Sequence, residues 1–352
     1  MVRVLDRNNL IRALKQVQRN KGAAGVDSMT VDELLDFLKQ HWSKIRQQLA
    51  EGTYQSKPVL RVEIPKPDGR KRKLGIPTAL DRLIQQAIAQ IMQEEWEVDF
   101  HNNSYGFRPR RNAHQAIGYV QDTIREGYNW VVDCDLEAFF DKVNHDLLMT
   151  QLKAHHKDDM LLRLINRYLK AGVCINGIKQ ASLKGVPQGA PLSPVLSNVV
   201  LNNLDWELEK RQLRFARYAD DFMVFVKSET AGKRVMSSLQ RFVGASLRLT
   251  VNTQKSAVGR PWECNFLGFT FSRRGLRDLD KWIRRRLRCY ILKRWGSKGY
   301  RMLRRLGVDR FLAWNTAKSA HGVWRLSGSP ALTRALPNRY FRNLGLPEMA
   351  TR

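Results

Sequence analysis

The spacing of apolar positions divides the chain into short helices and strands. Leu10, Ile11, Leu14 and Val17 recur at helical spacing and predict an amphipathic helix, which Gly22 to Asp27 breaks. Thr30 and Glu33 form a capping-box pair. Leu35, Leu38, Trp42, Ile45 and Leu49 then give a second helical stripe whose role is packing. Residues 59–77 read as an extended strand, a Pro-Asp-Gly turn and a returning strand. A helix runs from Asp81 through Ile84, Ala87, Ile88 and Ile91. Trp130 to Leu136 is an apolar strand whose alternation puts Asp133 and Asp135 on one face. Helical patterns cover Asp146 to Leu169, and another carries Leu196, Val199, Leu204 and Leu208. Phe215 to Val226 reads as a hairpin with Asp220 and Asp221 at its turn. Val235, Leu239, Phe242 and Val243 mark a further helix, and strands are expected at 249–251 and 265–271.

The acids carry the candidate chemistry. A lone Asp-Asp turn is best read as a solvated bend, because two adjacent anions repel unless water or a cation separates them. The second acidic strand, with Asp133 and Asp135, changes that balance. A chain that is otherwise strongly basic collects carboxylates on apolar strands. Several carboxylate oxygens suit Mg²⁺, and a Mg²⁺ pair held in this way is a device for in-line phosphoryl transfer. Basic residues crowd the 59–77 hairpin tip, which is either a solvated surface or a phosphate clamp using Lys66 and Arg72. Of Phe139 and Phe140, either belongs to the core or one of them walls a nucleotide pocket. The Gly/Pro-rich stretch from Gly185 to Pro194 is a rigid loop that by itself is weak evidence of a site.

Composition narrows the class. The 352 residues are 43% hydrophobic, enough for a core and for roughly two to three domains. A formal net charge of +28 implies a polyanionic partner, most simply nucleic acid. No apolar run approaches the roughly 18 residues of a membrane span, and the N-terminus lacks a signal-peptide core, so a cytoplasmic protein is expected. Cys134, Cys174, Cys264 and Cys289 follow no zinc spacing and are expected to be buried free thiols. Between Lys281 and Arg310 twelve Lys and Arg stand against one acid, Asp309, with Trp282, Tyr290, Trp295 and Tyr300 interleaved. Such mixing is the composition of a nucleic-acid surface, although a charge run is more often a solvated face.

In order along the chain stand Ile64-Pro65-Lys66-Pro67-Asp68-Gly69 with Leu74 to Thr78, Ser104 to Pro109, and Asp133 to His145. Pro187 to Pro194, Tyr218-Ala219-Asp220-Asp221 and Phe266-Leu267-Gly268-Phe269 follow. In these stretches, which cover residues 8–271, the chain resembles bacterial group II intron-encoded reverse transcriptases, the intron maturases. The resemblance implies an α+β right-hand polymerase with fingers and palm, an antiparallel sheet carrying the acidic hairpin and flanked by helices. It implies that Asp135, Asp220 and Asp221, with the Leu136 carbonyl, hold two Mg²⁺ ions, with Mn²⁺ as a substitute. Lys66, Arg72 and Gln188 are implied to contact the incoming dNTP, and Phe140 to exclude a ribose 2′-hydroxyl. Phe266, Leu267 and Gly268 correspond to a primer-gripping turn, and Arg108 to a nucleic-acid contact. Arg284, Arg285, Arg288, Lys293 and Arg294 are expected to face phosphates from a basic helix.

The expected organisation is an N-terminal helical extension over 1–58 and fingers over 59–129. A palm follows over 130–271, with part of the fingers interleaved near 175–195, and then a basic helical C-terminal region over 272–352. Relatives place a long helical thumb between the Phe-Leu-Gly-Phe strand and the Ile-Arg-Arg-Arg stretch. Here only Ser272 to Trp282 separate Phe271 from Ile283, so the thumb is reduced. The expected partners are an RNA template, intron RNA, a DNA primer or target and dNTPs, with no membrane. The expected location is a bacterial cytoplasm, at the nucleoid through nucleic acid. A non-enzymatic RNA-binding splicing cofactor remains the alternative, as does a reverse transcriptase recruited to repair or defence.

Overall fold

The computed structural model describes residues 1–65, 69, 71–267, 269–270 and 273–346. Among them the chain divides into two compact units, Met1–Arg260 and Pro261–Arg352. In the first unit, α1 (Arg7–Asn20) and α2 (Leu34–Ala50) precede the hairpin of β1 (Val59–Pro65) and β2 (Lys71–Ile76). Then come α3 (Ala79–Trp96), α4 (Ala113–Arg125), β3 (Trp130–Asp135), α5 (Phe139–Lys142), α6 (His145–His155) and α7 (Asp159–Lys170). Strands β4 (Val173–Ile175) and β5 (Ile178–Gln180) lead to α8 (Ser193–Lys210). The hairpin β6 (Arg214–Tyr218) and β7 (Asp221–Val226), helix α9 (Glu229–Ser246) and β8 (Ala257–Gly259) complete the unit.

Two four-stranded sheets organise it. One has the order β2-β1-β4-β5, with β1 and β4 parallel from Val59 opposite Val173. The other is antiparallel in the order β6-β7-β3-β8. Val131, Val132 and Cys134 of β3 and Phe222 to Val226 of β7 are buried, while Asp133 and Asp135 on the alternate positions are half-buried. The expected strand at 249–251 is reduced to a single bridge, Val251 to Leu136, and the edge of the sheet is instead Ala257–Gly259. The helical patterns from 146 to 169 form two helices, divided where Asp158 caps α7 by accepting from the Leu161 amide. The Thr30–Glu33 pair forms as expected: the Glu33 amide donates to Thr30 Oγ1, and the Thr30 amide to Glu33 Oε2.

Helix α3 is buried on nearly every side, and α1 packs along it. Asn9 of α1 donates to the carbonyls of Val4 and Ala87, both at 3.0 Å, so a buried polar side chain locks the pair in register. Asp81 is buried where α3 begins, accepting from Tyr54 and Thr78 hydroxyls at 2.8 Å and from the Lys57 amide. Burial raises its pKa against those donors.

His156, just after α6, is a buried base with a fixed role. The Trp96 indole can only donate, so the 2.7 Å contact makes His156 Nε2 an acceptor and the ring neutral. Burial lowers the His156 pKa, as does the neighbouring His155, although Glu95 and Asp158 pull the other way. A folded pKa below the unfolded one means the unfolded chain takes up the proton first. Stability is therefore expected to fall as pH drops below about 6.5, by at most ~1.4 kcal/mol per pH unit from this group. Urea unfolding midpoints between pH 7.5 and 5.5, compared with those of His156→Gln, check this: the variant should lose part of the slope.

The second unit begins with the short strands β9 (Asn265–Phe266) and β10 (Phe269–Thr270), which pair as a hairpin. Helix α10 (Arg273–Trp295) is followed by α11 (Gly299–Arg305), α12 (Arg310–Ala317), α13 (Val323–Leu326), α14 (Pro330–Ala335) and α15 (Asn338–Asn343). Its own small core joins Leu292, Leu303, Val308, Ala313, Leu332, Leu336 and Phe341.

Candidate active site

The acidic turn is built by register. Tyr218 pairs with Asp221 across the β6–β7 hairpin, leaving Ala219 and Asp220 as its two central residues. Ala219 takes a left-handed φ of 58°, as tight hairpin turns require. On the other side of β7, Asp221 lies directly opposite Asp135 of β3. The sheet thus brings Asp135, Asp220 and Asp221 to one end, with Asp133 two residues back on the same face of β3. Leu136 follows in its bridge with Val251.

The electrostatics follow from that crowding. Burial raises the pKa of Asp220, and the charge on Asp135 adds to the effect. Arg72 and Arg217 are near enough to oppose it. Burial, with Asp135 as the lesser cause, pushes Asp133 up to about 6. Asp135 accepts from Asn252 Nδ2 at 3.1 Å, and Lys255 Nζ stands 3.4 Å from its carboxylate. The Ser256 hydroxyl receives the Asp135 amide at 3.0 Å. The segment after α9 therefore positions this carboxylate. The donor set is anionic and all oxygen, which fits a hard divalent cation. Among the described residues no three such side chains already stand as a closed cluster.

The turn is held from behind by a residue that pattern reading passed over. Arg217 and Asp205 are both fully buried. All five guanidinium donors of Arg217 are used. Nε and Nη2 grip the Asp205 carboxylate at 2.7 and 2.6 Å, and Nη2 also donates to Ser104 Oγ at 2.7 Å. Nη1 donates to Asn198 Oδ1 at 3.0 Å and to the Ala219 carbonyl at 2.8 Å. The last bond fixes the turn itself. Asn198 in its turn donates to the Gly106 carbonyl, and the Tyr105 amide to the Arg217 carbonyl. The backbone at Gly106 lies so close to the turn that a Cβ there would stand 2.3 Å from the Ala219 nitrogen. The Ser104–Phe107 stretch is thus a brace for the acidic turn.

The wall of the site is a second assembly. Phe139 is buried, and Phe140, half-buried, meets it edge-on with centroids 5.2 Å apart. The 185–188 loop packs onto this turn: Val186 donates its amide to the Phe140 carbonyl at 2.7 Å, and His145 Nε2 donates to the Gly185 carbonyl. Gly185, at φ 91°, leaves no room for a Cβ beside the Phe140 carbonyl. The Gln188 carbonyl receives the Gly75 amide at 2.8 Å, joining the loop to strand β2. The same strand carries the exposed Arg72, whose charge reaches Asp220. Lys66 and Gly268 lie outside the described residues. Phe266 is buried and Leu267 half-buried with a left-handed φ of 56°, the geometry of a tight turn in the second unit.

Four arginines do not serve as the sequence suggested. Arg108 is buried; its guanidinium grips the Glu97 carboxylate and donates to the carbonyls of His101 and Ser104, at 2.6 and 2.9 Å. It fastens the loop that braces the turn. Arg284 is buried beside Asp280. Arg288, also buried, donates from Nε to the Leu336 carbonyl at 3.0 Å and lies over the Phe341 ring. Arg285 lies over the Trp324 ring and donates to the Trp324 carbonyl. The physical reason is local. Short helices leave their last carbonyls without partners, and Arg285 and Arg288 supply donors to α13 and to the end of α14. Lys293 and Arg294 do face solvent, on a stripe with Trp282, Arg286 and Tyr290. All four cysteines are free thiols, Cys134 and Cys264 buried and the other two half-buried.

An antiparallel palm bearing carboxylates on a hairpin turn and the adjacent strand, with a basic β-hairpin in the finger position, defines a nucleic-acid polymerase. Residues 64–271 match the family model for reverse transcriptase (RNA-dependent DNA polymerase), and the chain belongs to that family. It is 34% identical over 289 residues to protein YkfC of Escherichia coli (strain K12), covering 71% of this chain and 76% of that protein. It is 36% identical over 208 residues to the group II intron-encoded protein LtrA of Lactococcus lactis subsp. cremoris, covering 58% of this chain but only 34% of LtrA. Among solved structures, a telomerase from Candida albicans aligns over 66% of this chain and 48% of its own, at 13% identity and a TM-score of 0.47. The family depends on divalent metal, and no described helix is long and apolar enough to cross a membrane.

Proposed function

We propose that the protein copies RNA into DNA, adding dNTPs to a primer 3′-hydroxyl with two Mg²⁺ ions, as an enzyme of the group II intron type. The observation that carries this reading is the register that sets Asp135 against Asp221, with Asp220 at the adjoining turn. Bound there, metal ions would activate the 3′-hydroxyl and neutralise the triphosphate charge. Asp135, Asp220 and Asp221, with the Leu136 carbonyl, are the residues to hold them. Arg72, joined with Gln188 through strand β2, orients the triphosphate, and Lys66 is assigned the same task. Lys255 and Asn252 keep the Asp135 carboxylate in place. Phe266, Leu267 and Gly268 are assigned to the primer strand, and the exposed Lys293 and Arg294 to RNA phosphates. Relatives that include a group II intron-encoded protein and a nuclear intron maturase support a further role in binding intron RNA for splicing.

The direct test is extension of a DNA primer on an RNA template with dNTPs and Mg²⁺. Product on RNA is expected, and no extension under any template or divalent metal would reject the reading. Phe140 gives a finer check. Its ring is half-buried and backed by Phe139, so it forms a firm wall rather than a mobile side chain. Phe140→Ala is expected to lower discrimination against ribonucleotides by about tenfold or more, since a clash removed is a discrimination lost. Single-nucleotide incorporation of matched dNTP and rNTP measures it, and unchanged selectivity would assign the wall elsewhere.

A further inference from the structure

Helix α12 is built inside out. Its buried positions are the small Ala313 and Thr316, with Leu312 half-buried, whereas Phe311 and Trp314 are 75% and 52% exposed. An amphipathic helix ordinarily turns its largest apolar groups inward, so two solvent-facing aromatics one turn apart are a feature to be explained. They are not loose. The Tyr300 ring meets Trp314 edge-on, with centroids 5.6 Å apart and planes at 86°, which fixes the indole on the surface of α11 and α12. Lys318 holds its ammonium 5.3 Å from the Trp314 centroid. Arg310, beside Phe311, is exposed. Asp309, the one acid between Lys281 and Arg310 in the sequence, is engaged in capping α12 through the Phe311 and Leu312 amides. The charge of the whole unit matches a polyanion: between Pro261 and Arg352 twenty-one Lys and Arg stand against five Asp and Glu.

We infer that Phe311 and Trp314 form a stacking platform for unpaired bases of RNA, with Arg310 and Lys318 receiving the flanking phosphates. Rings stack on any base, and exposed rings paired with cations give binding that ignores sequence but requires single strands. A duplex keeps its bases stacked on one another and offers the rings nothing. The platform rests on the reading of this chain as an RNA-binding reverse transcriptase and assigns unpaired RNA to a surface of the second unit.

The test compares wild type with Phe311→Ala/Trp314→Ala, using fluorescence anisotropy with a labelled unstructured 12-nucleotide RNA and a blunt RNA duplex of the same length. Single-strand affinity is expected to fall about tenfold or more. Duplex affinity and its salt dependence should stay within twofold, because the phosphate contacts remain. Phe311→Tyr/Trp314→Phe should retain single-strand binding, which excludes a folding defect as the cause. Equal loss for both RNAs, or undiminished single-strand binding by the alanine variant, would overturn the platform. So would unchanged RNA affinity with a change in self-association by sedimentation, which would make the patch a protein contact. Primer extension on the same preparations keeps the two readings apart. Failure by wild type rejects the polymerase while the binding comparison still stands. Normal extension with undiminished single-strand binding by the variant rejects only the platform.

Discussion

Asp220→Asn is expected to abolish primer extension, lowering the rate by about three orders of magnitude or more. Metal binding at an acidic cluster supplies several kcal/mol of charge stabilisation, and each ~1.4 kcal/mol lost is tenfold in rate. The substitution keeps size and shape at the second central residue of the turn. It also removes a carboxylate that burial and Asp135 disfavour. Thermal stability should therefore be unchanged or slightly raised. That pairing of lost activity with retained stability is what separates a metal ligand from a structural acid. Extension within a few-fold of wild type would exclude Asp220 from the chemistry. A large fall in Tm would show that its role is to hold the turn.

Arg217→Met is expected to act on stability first. It leaves the fully buried Asp205 carboxylate without its partner, a change that typically costs about 3–5 kcal/mol. Adding Asp205→Leu should recover much of the loss, because two apolar groups replace a buried ion pair of similar volume. Activity should not return with it. The Ala219 carbonyl would still lack its donor, and the acidic turn would lose the contact that fixes it. Urea unfolding and primer extension on the single and double variants check both parts. A double variant as inactive as it is stable assigns Arg217 to positioning. Recovery of activity along with stability would reduce the arginine to an anchor of the core.

The contrast between Asp220 and Arg217 shows what was legible in the sequence. The acidic hairpin and strand β3 were readable because period-2 alternation and turn chemistry are local, and the Asp135–Asp221 register follows once the strands pair. The finger hairpin and the loop before α8 were legible for the same reason. Arg217 was harder, since its meaning lies in Asp205, Asn198 and Ser104, which are distant in sequence. One signal was present: Asp205 interrupts the buried Leu201, Leu204 and Leu208 face of α8, and such an acid needs a cation. The basic helix misled for a complementary reason. Arg284, Arg285 and Arg288 look like a charged surface when counted along the chain. Whether a guanidinium meets phosphate or a helix-end carbonyl depends on where α13 to α15 fold back, which no spacing within α10 records. The edge strand at Ala257–Gly259 was missed because three residues carry too little periodicity.

The fully engaged guanidinium has a bearing on how such a site can drift. Arg217 draws on two separate segments, the loop at Ser104 and helix α8 through Asn198 and Asp205, as well as on its own turn. With no donor to spare, it has no slack to absorb an altered neighbour. A lineage wandering one replacement at a time would meet an unpaired buried group at every first step. The four positions should therefore be inherited as a block, and a copy in which one of them has changed alone marks a gene on its way to losing its polymerase.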